Sequence, residues 1–289
     1  MNILVTGGVG FVGTNLIKRL LRDGHKVVSL DNYSTGFKEN EQDGCQYFDV
    51  DLSHVYDYDF FMEKPDTIFH LAALARIQPS IKNPTITIQN NFDSTLNILE
   101  WAREKKCPVV FAGSSSFHHG LWGSPYAWSK YAGEQLCKLY SEVYDLPTSI
   151  CRFYNVYGPH QLEEGTYATV LGIFEKQYRE NKPLTVTDDG EQRRDFTHID
   201  DIVDGIVKCH EAMHGAVDMR YAGEIFELGR GVNFSIKEIA EMFGGEIEYI
   251  PKRPGEYDVT LCDYSKASDA LDWNPVKNLD DYIRDVIEK

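Results

Sequence analysis

The most constraining stretch of the chain is Gly7-Gly8-Val9-Gly10-Phe11-Val12-Gly13. It follows the apolar run 2–5 (NILV) and opens an apolar-periodic segment at about 12–22. Glycines placed like this let a backbone turn tightly at the end of a strand, approach a pyrophosphate, and deliver it to the positively polarised start of a helix. A second strand-like run, 26–30 (KVVSL), ends at Asp31, 18 residues after Gly13. A carboxylate there accepts hydrogen bonds from an adenosine ribose 2′-OH and repels a 2′-phosphate, which favours NAD over NADP. The alternative is a glycine turn made only for packing. Strand, turn, helix, strand and acid in this order favour dinucleotide binding.

The rhythm continues with short β-rich runs at 66–72, 108–112 and 148–154, separated by helical patterns at about 84–105 and 126–144. Ile88, Phe92, Leu96, Leu99 and Ala102 recur at steps of three or four in the first of these helices. Strand–helix alternation predicts an α/β fold: a Rossmann-type, doubly wound parallel sheet with helices on both faces. Beyond about residue 155 the pattern becomes irregular, with helices expected near 167–181 and 199–214, a strand at 223–228 and a capping box at Ser235 and Glu238. The expected organisation is a NAD-binding domain over 1–155 and a smaller mixed α/β substrate-binding lobe over 156–289. Residues around 190–215 are expected to return to the first domain. The site is expected in the cleft between the two.

At 289 residues the chain can bury a sizeable core without disulfides or a structural metal. Its 29 basic and 45 acidic residues give a net charge of −16, which argues against nucleic acid or an anionic membrane surface as partners. Six cysteines (Cys45, Cys107, Cys137, Cys151, Cys209 and Cys262) show no metal-ligand spacing, so reduced thiols and no metal site are expected. With no run of 18 apolar residues and no export signal ahead of the first strand, the expected location is cytoplasmic.

Tyr126 and Lys130 lie four apart, on one face of a predicted helix that follows the 108–112 strand and the cluster Ser114-Ser115-Ser116. A neighbouring cation favours the phenolate and makes the tyrosine a usable general base. Tyr178 and Lys182 share the spacing but precede Pro183 and follow no strand, so they read as solvated surface. The serine cluster alone could equally be an ordinary polar loop.

Taken with TGGVGFVG (6–13), DN (31–32), HLAALA (70–75), YAWSK (126–130), RFYNVYGP (152–159), RRDFTHIDD (193–201), RPGE (253–256) and DYSKASDALDWNP (263–275), the chain resembles the extended short-chain dehydrogenase/reductases. Within them it is similar to the NAD-dependent nucleotide-sugar epimerase/dehydratase family over nearly its whole length. The resemblance implies that Gly7, Gly10, Phe11, Val12 and Gly13 hold the NAD pyrophosphate. It places Asp31 and Asn32 on the adenosine ribose, with Ser34, Thr35 and Gly36 nearby, and Asp51 and Leu52 beside the adenine. Leu71, Ala72, Ala73, Ala75 and Asn91 would line the cofactor. Lys130 would hold the nicotinamide ribose, and Tyr154 would pack near the nicotinamide. On the substrate side, Asn155, Arg194 and Arg253 would take a diphosphate and Glu256 the nucleotide ribose; arginines are suitable clamps for a diphosphate in so acidic a protein. Arg193 reads as a surface ion-pair partner instead.

The implied activity is C4 epimerisation of a nucleotide sugar through a transient 4-keto sugar. Tyr126 would be the base, and Ser115, or Ser114 as the alternative, would bridge the reacting oxygen. Counting back from Gly120 selects Ser115; counting forward from Phe111 selects Ser114; Ser115 is preferred. The dehydratase and decarboxylase branches carry an acid beside the catalytic hydroxyl, where this chain has Ser116-Phe117. Thr260 replaces a large tyrosine found in relatives that exclude N-acetylated sugars, which implies room for an N-acetylhexosamine beside plain hexoses and uronates. Thr185 and Thr187 lie in the segment that resembles the base-contacting strand, and UDP is the favoured nucleotide. A homodimer formed through the helices at 84–105 and 126–144 is also implied. The chain departs from the family in separating Ser115 from Tyr126 by only 11 residues, which implies a more open pocket, and in carrying His118-His119-Gly120 for the usual Val-Tyr-Gly. Both histidines read as loop residues.

Overall fold

The computed structural model describes residues 1–215, 221–255 and 257–288. Its strands are β1 (Asn2–Thr6), β2 (Lys26–Asp31), β3 (Cys45–Asp49), β4 (Thr67–His70), β5 (Val109–Ser114), β6 (Thr148–Phe153), β7 (Val156–Tyr157), β8 (Leu184–Thr187), β9 (Arg193–Asp195), β10 (Thr197–His198), β11 (Glu224–Leu228), β12 (Asn233–Ser235) and β13 (Ile247–Ile250). The α-helices are α1 (Phe11–Arg22), α2 (Ile77–Lys82), α3 (Pro84–Lys105), α4 (Ser116–Gly120), α5 (Pro125–Tyr144), α6 (Val170–Arg179), α7 (Ile199–Gly215), α8 (Ile236–Phe243), α9 (Ser265–Leu271) and α10 (Leu279–Ile287).

Seven strands form one sheet in the order β11-β6-β5-β4-β1-β2-β3, with every neighbouring pair parallel. The chain runs outward through β2 and β3 and then crosses to β4 on the other side of β1. That reversal opens a crevice at the carboxyl ends of β1 and β4, the place where such sheets bind ligands. One face is covered by α3 and α5, with Leu4, Ile68, Ile98, Leu99 and Phe111 buried between. The other face is covered by α1, α7 and α9, which bury Ile17, Leu20, Ile202, Ile206 and Trp273. Burial on both faces is why the inner strands read as continuous apolar runs.

The edge strand β3 was not among the expected strands. No position of its CQYFD is fully buried, and it lacks an apolar run. The later part of the chain returns to the sheet through α7 and through β11, which pairs with β6 from Glu224↔Ser149 to Leu228↔Phe153.

The smaller lobe has its own core of Phe174, Leu184, Val186, Phe243 and Ile283, built by α6, α8, α10 and the β8–β13 pair. Thr169 caps α6, and Ser235 and Glu238 form a reciprocal capping box at the start of α8. Tyr178 is not solvated: its ring packs against Phe243, 5.9 Å between centroids, while Lys182 is exposed. Among the described residues no helix is long and apolar enough to cross a membrane.

Candidate active site

A cleft of about 530 Å³ runs from the glycine turn after β1 to the smaller lobe. At the first end the glycines are required by space. Gly7 has φ +74°, and a Cβ on it would sit 2.8 Å from the Ala72 backbone nitrogen; a Cβ on Gly13 would sit 2.1 Å from the Gly7 carbonyl oxygen. Gly10 begins α1 with no side-chain cap, so Gly7, Gly10, Phe11, Val12 and Gly13 present backbone and helix dipole to the cleft. This suits a pyrophosphate.

Asp31 closes β2 with its carboxylate held in place, Oδ2 accepting from Val9 N at 3.0 Å and Oδ1 from Tyr33 N at 2.9 Å. Burial raises its pKa and these N–H donors oppose the rise. Asn32, Ser34, Thr35, Asp51, Leu52, Leu71, Ala72, Ala73 and Ala75 line the same stretch of cleft. Two expected members stand behind the wall. Gly36 packs on Val9, whose carbonyl oxygen would lie 2.6 Å from an added Cβ. Asn91 is buried, accepting from Leu74 N at 2.7 Å and donating to Ser129 Oγ at 2.9 Å. It fixes the turn after β4 rather than facing the cleft.

At the reacting end, β5 finishes at Ser114 and α5 starts from Ser124, whose hydroxyl accepts from Ala127 N. Tyr126 Oη donates to Ser114 Oγ at 3.3 Å. Ser114 Oγ also meets Ser116 Oγ at 2.8 Å and accepts from Ser116 N at 3.3 Å. Ser115 lines the cleft as the N-cap of α4, but its side chain makes no cap and its backbone N–H bonds to Phe153 O. The geometry therefore pairs the tyrosine with Ser114, not with the preferred Ser115.

Burial raises the Tyr126 pKa, while the Ser114 hydrogen bond and the Arg76 guanidinium pull it down. Lys130 is buried one turn further along α5, its ammonium 4.5 Å from the centroid of the Phe111 ring, and does not line the cleft. Burial pushes its pKa down to about 8 against the opposing field of Glu134. The cation whose field reaches Tyr126 is thus Arg76.

Tyr154, Asn155, Thr185, Thr187, Arg194, Arg253 and Thr260 line the rest of the cleft. Asn155 Nδ2 donates to Asp195 O at 3.0 Å, and the Thr260 hydroxyl accepts from Asp195 N at 3.0 Å. The buried Asp195 carboxylate accepts from Arg230, Gly231 and Cys262 N–H groups and locks this wall together. Glu256 lies outside the described residues. Arg193 pairs with Glu238 at 3.0 Å, as a structural residue. His118 belongs to the short helix α4, not a loop, and meets Glu227 at 2.7 Å in a network with Arg152 and Glu134, away from the cleft lining.

Sequence reasoning missed Arg76, Tyr167 and Tyr257, all of which line the cleft. Arg76 carried a usable signal, a lone cation immediately after the apolar run HLAALA. The two tyrosines carried none. Among the described cleft-lining residues the only carboxylates are Asp31 and Asp51, both at the end away from Tyr126.

The chain matches the family model described as NAD dependent epimerase/dehydratase over residues 3–229. It is 32% identical to a UDP-glucose 4-epimerase of Mycolicibacterium smegmatis, covering 100% of this chain and 98% of that protein. It is 31% identical to a UDP-N-acetyl-alpha-D-glucosaminuronate decarboxylase of Bacillus cytotoxicus, covering 82% and 78%. The structure of a UDP-glucuronic acid 4-epimerase from Bacillus cereus, in complex with UDP-glucuronic acid and NAD, superposes with a TM-score of 0.89 at 29% identity, covering 100% of this chain and 99% of that one. The chain belongs to the NAD-dependent epimerase/dehydratase family, and its fold is the Rossmann-type fold of those enzymes.

Proposed function

We propose that this family member is a nucleotide-sugar 4-epimerase that interconverts the C4 epimers of a UDP-sugar through a transient 4-keto sugar. The observation that carries the reading is the Tyr126–Ser114 pair at one end of a cleft whose other end is the glycine cradle, with no described carboxylate lining the cleft beside the pair. Held by Gly7, Gly10 and Gly13 after β1, NAD would supply the hydride acceptor and donor.

The residues of the chain do the rest. Tyr126, as the phenolate, takes the proton from the sugar C4 hydroxyl; Ser114 bridges the same oxygen and stabilises the charge that develops on it. Arg76 favours the phenolate directly, and Lys130 holds positive charge behind it. Asn155, Arg194 and Arg253 hold the diphosphate, and Thr185 and Thr187 stand where the base reaches the smaller lobe. After the keto sugar turns over in the cleft and presents the opposite face of C4 for the return of hydride, Tyr126 gives the proton back to the C4 oxygen. Elimination of water needs an acid near the leaving group, and the only described cleft carboxylates sit at the far end. That favours epimerisation over dehydration. Thr260 leaves volume for an N-acetyl substituent.

The test is a proton NMR time course of the anomeric signals with purified protein and three pairs of C4 epimers, built on UDP-glucose, UDP-N-acetylglucosamine and UDP-glucuronate. Interconversion of one pair without added cofactor supports the reading. A pentose product with release of CO₂, or a deoxy-keto sugar, replaces it with decarboxylation or dehydration.

A further inference from the structure

We propose that the sugar taken by this cleft is a hexuronate, and that Arg76 holds its C6 carboxylate. The inference rests on the nucleotide-sugar reading above and narrows it. Arg76 follows the wall segment Leu71–Ala75, stands at the N-cap position of α2, and lines the cleft together with Tyr126, Tyr167 and Tyr257. Its Nε donates to Tyr167 O at 2.9 Å and its Nη1 to Ala75 O at 3.1 Å. These two bonds fix the plane of the guanidinium and use two of its five N–H groups. The remaining three have no acceptor among the described residues, and no described carboxylate pairs with it.

Carbonyl oxygens orient a guanidinium without neutralising it, and burial in the cleft wall disfavours its charge. A half-buried cation facing the cleft is stabilised by an anion placed opposite it. Tyr126 does not serve as the bonded partner, because its hydroxyl is directed to Ser114. The diphosphate is taken by the other two described cleft cations, Arg194 and Arg253, on the wall formed by the smaller lobe. What is left is an anionic group on the sugar itself, close to the carbon that reacts. C6 lies two bonds from C4, so a carboxylate there falls beside the same tyrosine. It matches the free fork of the guanidinium with two parallel N–H···O bonds. A neutral CH₂OH offers one acceptor atom and no charge.

The experiment is isothermal titration of the NAD-loaded protein with UDP-glucuronate, UDP-glucose and UDP, using the natural chain, Arg76→Gln and Arg76→Lys. The natural chain should bind UDP-glucuronate about tenfold or more tighter than UDP-glucose. Arg76→Gln should lose that preference by weakening UDP-glucuronate about tenfold while moving UDP-glucose and UDP by less than about threefold. Arg76→Lys, which keeps the charge and loses the fork, should fall between; it also serves if the glutamine variant does not fold. Equal affinity of the natural chain for the two sugars overturns the proposal. So does an equal loss on both sugars in Arg76→Gln, which would make Arg76 only a support for the wall or for Tyr126. The NMR panel separates the two readings. Turnover of the UDP-glucose pair without Arg76-dependent uronate binding leaves the epimerase and removes the uronate. Arg76-dependent uronate binding without epimer formation does the reverse.

Discussion

Replacing Ser114 by alanine removes three contacts at once: the Tyr126 hydroxyl at 3.3 Å, the Ser116 hydroxyl at 2.8 Å and the Ser116 backbone N–H at 3.3 Å. If Ser114 donates to the oxygen on which charge develops, its loss should lower kcat by about 10²- to 10³-fold, the usual cost of one such donor. KM should change much less, because the bond strengthens mainly in the transition state. The substitution also strands the Ser116 N–H, which costs about 1–2 kcal/mol of stability, so a thermal melt should accompany the kinetics. Ser115→Ala is the internal control. The Ser115 N–H bonds to Phe153 O through the backbone, which alanine keeps, and its side chain caps nothing. Its kcat should stay within about threefold of the natural value. Initial rates at saturating substrate, followed by anomeric NMR, decide between them. An Ser115→Ala loss as large as that of Ser114→Ala, or an Ser114→Ala enzyme within threefold of the original, would refute the reasoning.

Lys130 is pushed down to about 8 by burial from an ordinary 10.5, so its share of stability is lost as pH falls through about 8 and recovered toward 10.5. Lys130→Met should therefore raise the melting temperature at pH 7, by a term of roughly 3 kcal/mol that shrinks toward pH 10.5; destabilisation at both pH values would contradict this. His70 sits between the hydroxyls of Thr6 (2.7 Å) and Thr95 (3.1 Å), and burial pushes it down to about 3. Its contribution is complete above pH 6.5 and lost between there and about 3, so urea melts should show a steeper acid loss for the natural chain than for His70→Gln. Gly13→Ala puts a methyl 2.1 Å from the Gly7 carbonyl oxygen and should yield protein that no longer retains NAD, read by release of nucleotide on denaturation. Exposed Ile86 on α3 and Leu139, Val143 and Tyr144 on the adjacent α5 fit a self-association face. Sedimentation should give a dimer, with Leu139→Glu shifting it to monomer.

What could be read from the sequence was what local spacing dictates. The glycine turn, Asp31 and the alternation of elements depend on neighbours within some twenty residues, and each lies where its spacing placed it. β3 escaped because a half-exposed edge strand carries no apolar run to mark it. Ser114 and Ser115 could not be separated from either side, because the answer depends on where β5 ends. It ends at Ser114, and the next residue already stands at the N-cap position of α4. Asn91 points to Leu74 rather than the cleft because α3 stands behind the β4 turn, a fact of packing that periodicity does not encode. Tyr126, Arg76, Tyr167 and Tyr257 meet from four separate segments, so only the folded chain brings them together.

The central claim is that a hydride leaves C4 and returns to the same carbon within one cleft. The direct measurement uses a UDP-sugar deuterated at C4, incubated with the protein in ordinary water without added cofactor, and follows the label in the epimer by NMR and mass spectrometry. The account predicts an epimer that keeps its deuterium at C4, with none appearing in solvent. Loss of the label to water as the epimer forms would contradict it, since C4 would then have exchanged a proton instead of passing a hydride back and forth.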